Sequence, residues 1–246
     1  MGKDERVEPA FYAALFMVSA ATLMYEILLT RIFSVTMWYH YAFVAVSVAM
    51  FGMTLGALIV YLAPSLFPPQ QVRKRMAVAA LMFSGSLILC FMTFACIPFI
   101  GDWDATGALL GIYGSALIYF VISIPFIFSG ICVCLALTRF PRFVGRLYAF
   151  DLIGGACGCV AVIIVLKITD GPTSVFVVAF IAAMAAILYA LSSSSRSIRN
   201  WSIVLCALIA VFCVKNTEMV MHQKTHLPLL WVKGRLTLPS QFTYQK

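Results

Sequence analysis

The sequence predicts an all-α, polytopic membrane bundle of about seven segments, and three observations carry that reading. Of its 246 residues, 63% are hydrophobic and 11% charged, with a mean hydropathy of +1.01. A water-soluble domain carries about 25% charged residues, so too few polar groups exist here to cover a wetted surface. Apolar runs of about 20 residues recur, each long enough to cross a hydrocarbon core of about 30 Å. The period-2 alternation of a membrane β-barrel is absent, whereas helices satisfy their own backbone groups in lipid.

The first segment, 10–35, follows the polar, mixed-charge "MGKDERVEP" and lacks a small-residue cleavage site, so it reads as a retained helix and not a signal peptide. Arg6 occupies the position where a myristoylation signal needs Ser or Thr. This segment opens with the charge-free "AFYAALFMVSAATL" and then takes up two charges in "MYEILLTRIFSV". The second, 38–63, enters through "WYHYAF" and contains "GMTLG"; the third, 76–100, follows "PSLFPPQQVRKR". The fourth, 108–138, follows "GDWDATG" and exceeds one straight crossing, so Pro125 is expected to kink it. The fifth, 146–168, follows "TRFPRFVGR", and the sixth, 172–191, follows "KITDGPTS". The seventh, 201–214, is short enough to lie in the interface or only just span. Residues 1–214 thus read as a membrane domain, and 215–246 as a polar, proline-broken linker or tail.

The net charge of +8 would suggest acidic partners in a soluble protein. Here the basic residues sit in short loops, where they set orientation, and no nucleic-acid partner is expected. One set of segment ends holds Lys3, Arg6, Arg73, Lys74, Arg75, Arg139, Arg142, Arg146, Arg196 and Arg199. The other holds Lys167, with Arg31 near it, and the acidic Asp102 and Asp104. By the positive-inside bias the N-terminus is cytoplasmic. Seven crossings then leave the tail outside; if the seventh segment does not cross, the tail is cytoplasmic.

Among the nine acidic residues, Glu26 and Asp151 fall within apolar segments. A carboxylate in the bilayer costs about 2.5–3.5 kcal/mol on insertion scales, so each needs a partner or a task. Arg31 and Arg146 each lie five residues from one of them, off the three-or-four spacing of a helical pair. Pairing across segments one and five is therefore as good as pairing within them. The expectation is one intramembrane polar cluster of Glu26, Arg31, Arg146 and Asp151, with Tyr148 donating to a carboxylate and His40 close enough to join. Two readings of it stand: an ion-pair network that fixes helix register, or a site for substrate, lipid or proton.

Small residues point to close helix packing. Gly52 and Gly56, and again Gly154 and Gly158, have G-x-x-x-G spacing, with Gly155 beside the second pair. No metal site is expected. The "CVC" and "CGC" pairs point their thiols about 200° apart on a helix, and His222 with His226 lack a third ligand. "DLIGGACG" lacks both the preceding strand and the spacing of a dinucleotide loop.

In order along the chain, "YEILLTRIFSV", "WYHYAFVAVSVAMFGMTLGAL", "IPFIFSGICVCLAL" and "GRLYAFDLIGGACGCV" resemble the membrane portion of bacterial spermidine-synthase-like polytopic proteins, from about Phe11 to Ala190. "WVKG" at Trp231–Gly234 is similar to that family's linker. The resemblance implies an inner-membrane scaffold, with Glu26, Arg31, Tyr148 and Asp151 at matching motif positions. It also implies a soluble transferase-like domain, in cis or in trans, as partner beside the lipid bilayer. The family's cofactor-holding residues have no counterpart up to Lys246, so no cofactor and no catalytic residue is expected in this chain. The expected role is to anchor that domain and to bind a polyamine-like or lipid substrate. The alternatives are a stand-alone small-molecule transporter and a structural subunit of a separately encoded enzyme.

Overall fold

A computed structural model describes residues 8–37, 41–97, 105–193, 195–221, 231–232 and 235–236. Seven helices account for nearly all of them: α1 (Pro9–Thr36), α2 (Ala42–Leu62), α3 (Val72–Cys96), α4 (Ala105–Arg139), α5 (Val144–Ile168), α6 (Gly171–Ser192) and α7 (Arg196–Met221). Two short strands, β1 (Trp231–Val232) and β2 (Arg235–Leu236), pair antiparallel. Among the described residues, seven helices are long and apolar enough to cross a membrane. The protein is an all-α, multi-pass bundle.

Helix starts follow local chemistry. Pro9 opens α1, and single 3-10 turns at Pro69–Gln71 and Pro141–Phe143 lead into α3 and α5. Proline suits a first turn, where its missing N–H has no intrahelical partner to lose. At α6 the Asp170 carboxylate accepts the Thr173 N–H, an N-cap with Pro172 just inside. α4 runs as one 35-residue helix with Pro125 in its interior. α7 differs from the sequence reading. It spans 26 residues, beginning before 201 and continuing past 214, so it is long enough to cross and the tail begins only after Met221.

Side-chain pairs give the helix directions. Tyr12 meets Phe150 with ring centroids 5.2 Å apart, while Phe16 and Ala20 face Gly154 and Gly158, so α1 and α5 are parallel. Phe11 meets Tyr189 at 5.1 Å at one end and Ile32 meets Gly171 at the other, so α6 is antiparallel to α1. α4 is antiparallel too, with Phe11 against Phe140 and Tyr25 against Phe126. α2 lies parallel to α4, and α7 antiparallel to α6. α1 and α6 form the centre of the bundle; α5 and α7 are flanking helices with most of their surface outward. As a result Arg73, Lys74, Arg75, Arg139, Arg142, Arg146, Arg196 and Arg199 gather at one end. Lys167, Asp170, Lys215 and Glu218 lie at the other.

Two helix pairs approach at backbone distance. A Cβ on Gly52 would lie 2.6 Å from both Phe126 Cβ and the Ser123 carbonyl, and one on Gly56 would collide with the Ile127 carbonyl. From the opposite side, a Cβ on Gly130 would lie 2.8 Å from Met53 Cα. Gly154 and Gly158 seat α5 on the Phe16 and Ala20 backbone of α1 in the same manner. Lipid is as apolar as leucine, so membrane helices associate through such close van der Waals contact and not through hydrophobic exclusion. Gly155 contributes less, since its nearest neighbour is the Leu23 side chain at 3.5 Å.

Candidate functional site

α1 carries a file of hydroxyls into the core. Ser19, Thr22 and Tyr25 stand three apart, a spacing that turns successive side chains to neighbouring partners around the helix. Ser19 on α1 donates to the Asp151 carboxylate on α5. Its hydroxyl also stands 3.1 Å from the Leu15 carbonyl one turn back. Thr22 donates to the Val18 carbonyl at 2.7 Å and shares a hydrogen bond with Ser129 of α4. Tyr25 is wholly buried, and among the described residues its hydroxyl finds no hydrogen-bond partner. From α6, Tyr189 enters the same core, also wholly buried and, among the described residues, also without a partner for its hydroxyl. Cys132 on α4 is buried in the same core. The Cys132 thiol, for its part, points at the Met76 carbonyl at 3.7 Å.

Comparison with protein-family models, with curated proteins and with solved structures finds no match to this chain. The chemistry of this core therefore has to be read from its own geometry.

That geometry does not assemble the cluster expected from the sequence. Segments one and five do pack together, but in parallel and in a register that keeps the charges apart. Ser19 pairs with Asp151, and Phe16 with Gly154, so residues of α1 lie level with residues 132 to 138 positions later on α5. Arg31 and Arg146 are consequently separated by about 25–35 Å along the bundle, at about 1.5 Å rise per residue. Glu26 and Asp151 stand about 10–20 Å apart by the same count. Among the described residues, none of Glu26, Arg31 and Arg146 has an ion-pair partner, and Asp151 has Ser19 as its one hydrogen-bond partner. Arg31 and Arg146 are exposed near opposite ends, where long side chains snorkel to the headgroups. Glu26 is half-buried on α1, and Tyr148 faces outward at 52% exposure, away from the carboxylate it was expected to serve. His40, Asp102, Asp104, Lys3, Arg6, His222, His226 and Gly234 lie outside the described residues.

Of the expected residues, Asp151 thus stands alone at a polar junction. The partner it meets, Ser19, was not singled out in the sequence, nor were Tyr189, Thr22, Ser129 and Gly130. A hydroxyl in an apolar helix is common and bonds its own backbone as readily as a neighbour. The signal that was present is the three-residue spacing of Ser19, Thr22 and Tyr25 in a charge-free stretch. The C-x-C pairs diverge as their spacing requires: Cys132 is buried and Cys157 exposed, while Cys134 and Cys159 are intermediate. Among the described residues no group of three His, Cys, Asp or Glu side chains is placed to hold a metal.

Proposed function

We propose that this chain is the membrane domain of a spermidine-synthase-like protein, a helical anchor that holds a transferase-like domain at a bacterial inner membrane. The observation that carries the proposal is where the resembling stretches fall. "GMTLGAL" and "IPFIFSGICVCLAL" supply Gly52, Gly56 and Gly130 of the α2–α4 contact, and "GRLYAFDLIGGACGCV" supplies Gly154 and Gly158 of the α1–α5 contact. The motif residues are thus spent on building a rigid scaffold, which is what an anchor requires. The basic residues gathered at one end support a cytoplasmic N-terminus. With α7 crossing, a partner that uses a cytoplasmic cofactor docks in trans on the basic end, while a domain following α7 in cis faces the other side. Asp151, a half-buried carboxylate within α5, supports the polyamine-like substrate class.

The test is affinity purification of the chain from solubilised membranes of its native host. The expected outcome is co-purification of a protein with an α/β cofactor-binding domain, encoded downstream of Lys246 or in an adjacent frame. A chain that purifies alone, with unrelated genes around it, and that moves small solutes when reconstituted in vesicles would replace the anchor with a stand-alone transporter.

A further inference from the structure

α5 has two unlike faces. Leu147, Gly154, Gly155, Gly158 and Val162 are its buried residues, and Gly154 and Gly158 seat the helix on α1. On the side turned away from them, Phe150, Ile153, Cys157, Val160 and Ile164 follow Arg146 at alternating steps of four and three, the spacing of one helical face. All of these residues are exposed. One outward stripe thus runs from a guanidinium at the basic end of the bundle down an unbroken apolar row.

The length of the helix fixes the depth of that guanidinium. Arg146 and Lys167 lie about 32 Å apart along α5 at about 1.5 Å per residue, which matches a hydrocarbon core of about 30 Å. The two side chains therefore mark the two boundaries of the core, level with lipid headgroups and not out in the water. Arg142 precedes Arg146 by four residues, on the 3-10 turn that leads into α5, and is exposed too. Helical side chains lean toward the N-terminus of their own helix, so Arg146 reaches back toward the turn that holds Arg142. Among the described residues neither arginine has an ion-pair partner. The first turn of α5 holds no acid, and the nearest carboxylates are turned elsewhere: Glu8 accepts from Ser192 of α6, and Asp151 from Ser19.

We propose that Arg142 and Arg146 hold the phosphate of one anionic phospholipid, whose acyl chain lies along Phe150, Ile153, Cys157, Val160 and Ile164. Guanidinium groups present planar, paired N–H donors that match phosphate oxygens. Two cations without a carboxylate between them select a headgroup of net negative charge, because a zwitterionic one brings an ammonium that they repel. A soluble acidic protein could meet the arginines but could not follow a stripe that continues through the apolar core. A phospholipid has both parts, charge and chain, in this order. The lipid is a standing neighbour of α5 and not a reactant, so the site rests neither on the anchoring role nor on the polyamine reading of Asp151.

The experiment places a fluorophore on Cys157, in a full chain freed of its other cysteines, in nanodiscs of phosphatidylcholine. Cys157 lies about 16 Å below Arg146 along the helix, near the middle of the core, so a nitroxide carried part-way along an acyl chain quenches it on contact. Spin-labelled phosphatidylglycerol or spin-labelled phosphatidylcholine replaces part of the lipid at constant ionic strength. The expected result is half-maximal quenching at a mole fraction about tenfold lower for phosphatidylglycerol, the order that two arginines at the headgroup level supply. Arg142→Gln combined with Arg146→Gln makes the two curves coincide, and Lys167→Gln, at the far end of α5, leaves them apart. Coincident curves in the parent chain overturn the proposal, as does a preference that survives the double variant. Quenching by neither lipid overturns it too, and assigns the stripe to protein, such as a second copy of the chain. Should the double variant fail to fold, Arg146→Gln alone decides: an unchanged preference overturns the proposal and a reduced one supports it.

Discussion

Single glycines decide whether two of the helix pairs can exist. At Gly158 a Cβ would sit 2.9 Å from Ala20 Cα and 3.0 Å from its carbonyl carbon. Backbone atoms of a packed helix cannot swing aside as the end of a side chain can, so the helices must part. At Gly85, in α3, a Cβ would meet nothing within 4 Å. The two positions therefore respond oppositely. Gly158→Leu is expected to destabilise the bundle by at least the cost of overpacking a core, about 1–3 kcal/mol. Gly85→Ala is expected to be neutral or to stabilise by up to about 1 kcal/mol, the helix-propensity gain over glycine. Denaturant unfolding of both variants in the same micelle checks this; equal effects at the two sites would mean that α5 does not seat on α1 through Gly158.

At the scale of the element, α7 shows how one buried polar contact extends a helix. Lys215, Asn216 and Glu218 make the stretch after Val214 read as a linker in sequence. In the bundle, Lys215 and Glu218 point outward, while Asn216 is fully buried and donates to Thr173 of α6 at 2.5 Å. Phe176 and Phe212 stack nearby with centroids 4.4 Å apart. Ser202 and Ile209 are buried on the same face of α7, which packs along α6, while most of the remaining α7 surface faces outward. Asn216→Ala is expected to cost about 0.6–1.7 kcal/mol, the range of interhelical hydrogen bonds in membranes. Limited proteolysis should detect α7 loosening before the rest of the bundle opens. Wild-type resistance of α7 in this variant would assign its docking to apolar contact alone.

For the whole molecule, seven crossings put the ends of the described chain on opposite sides of the bilayer. Gln70, between α2 and α3, and Glu218, near the end of α7, are both exposed. Cysteine placed at Gln70 or at Glu218, in a chain freed of its eight native cysteines, is expected to react with an impermeant reagent from opposite faces. With the proposed cytoplasmic N-terminus, Gln70 is expected to react from the cytoplasmic face. Labelling of both from one face would take α7 out of the membrane and return the tail to the side of Gln70.

The number of helices, the approximate bounds of six of them and the grouping of charge were legible in the sequence, because hydropathy and loop charge are sums over many residues. The two glycine spacings were legible as well, since a motif of small residues has one main use between membrane helices. The meeting of particular polar atoms was not. Pairing Asp151 with Arg31 required those residues of α5 and α1 to share a level, and parallel packing set by Gly154 and Gly158 shifts those levels apart. Ser19 and Tyr189 carry no sequence signature, because a hydroxyl becomes informative only when its neighbours are known. Sequence alone determined that this chain is a helical membrane protein; tertiary structure decided what surrounds Asp151, because register and direction are properties of helix pairs and not of any one segment.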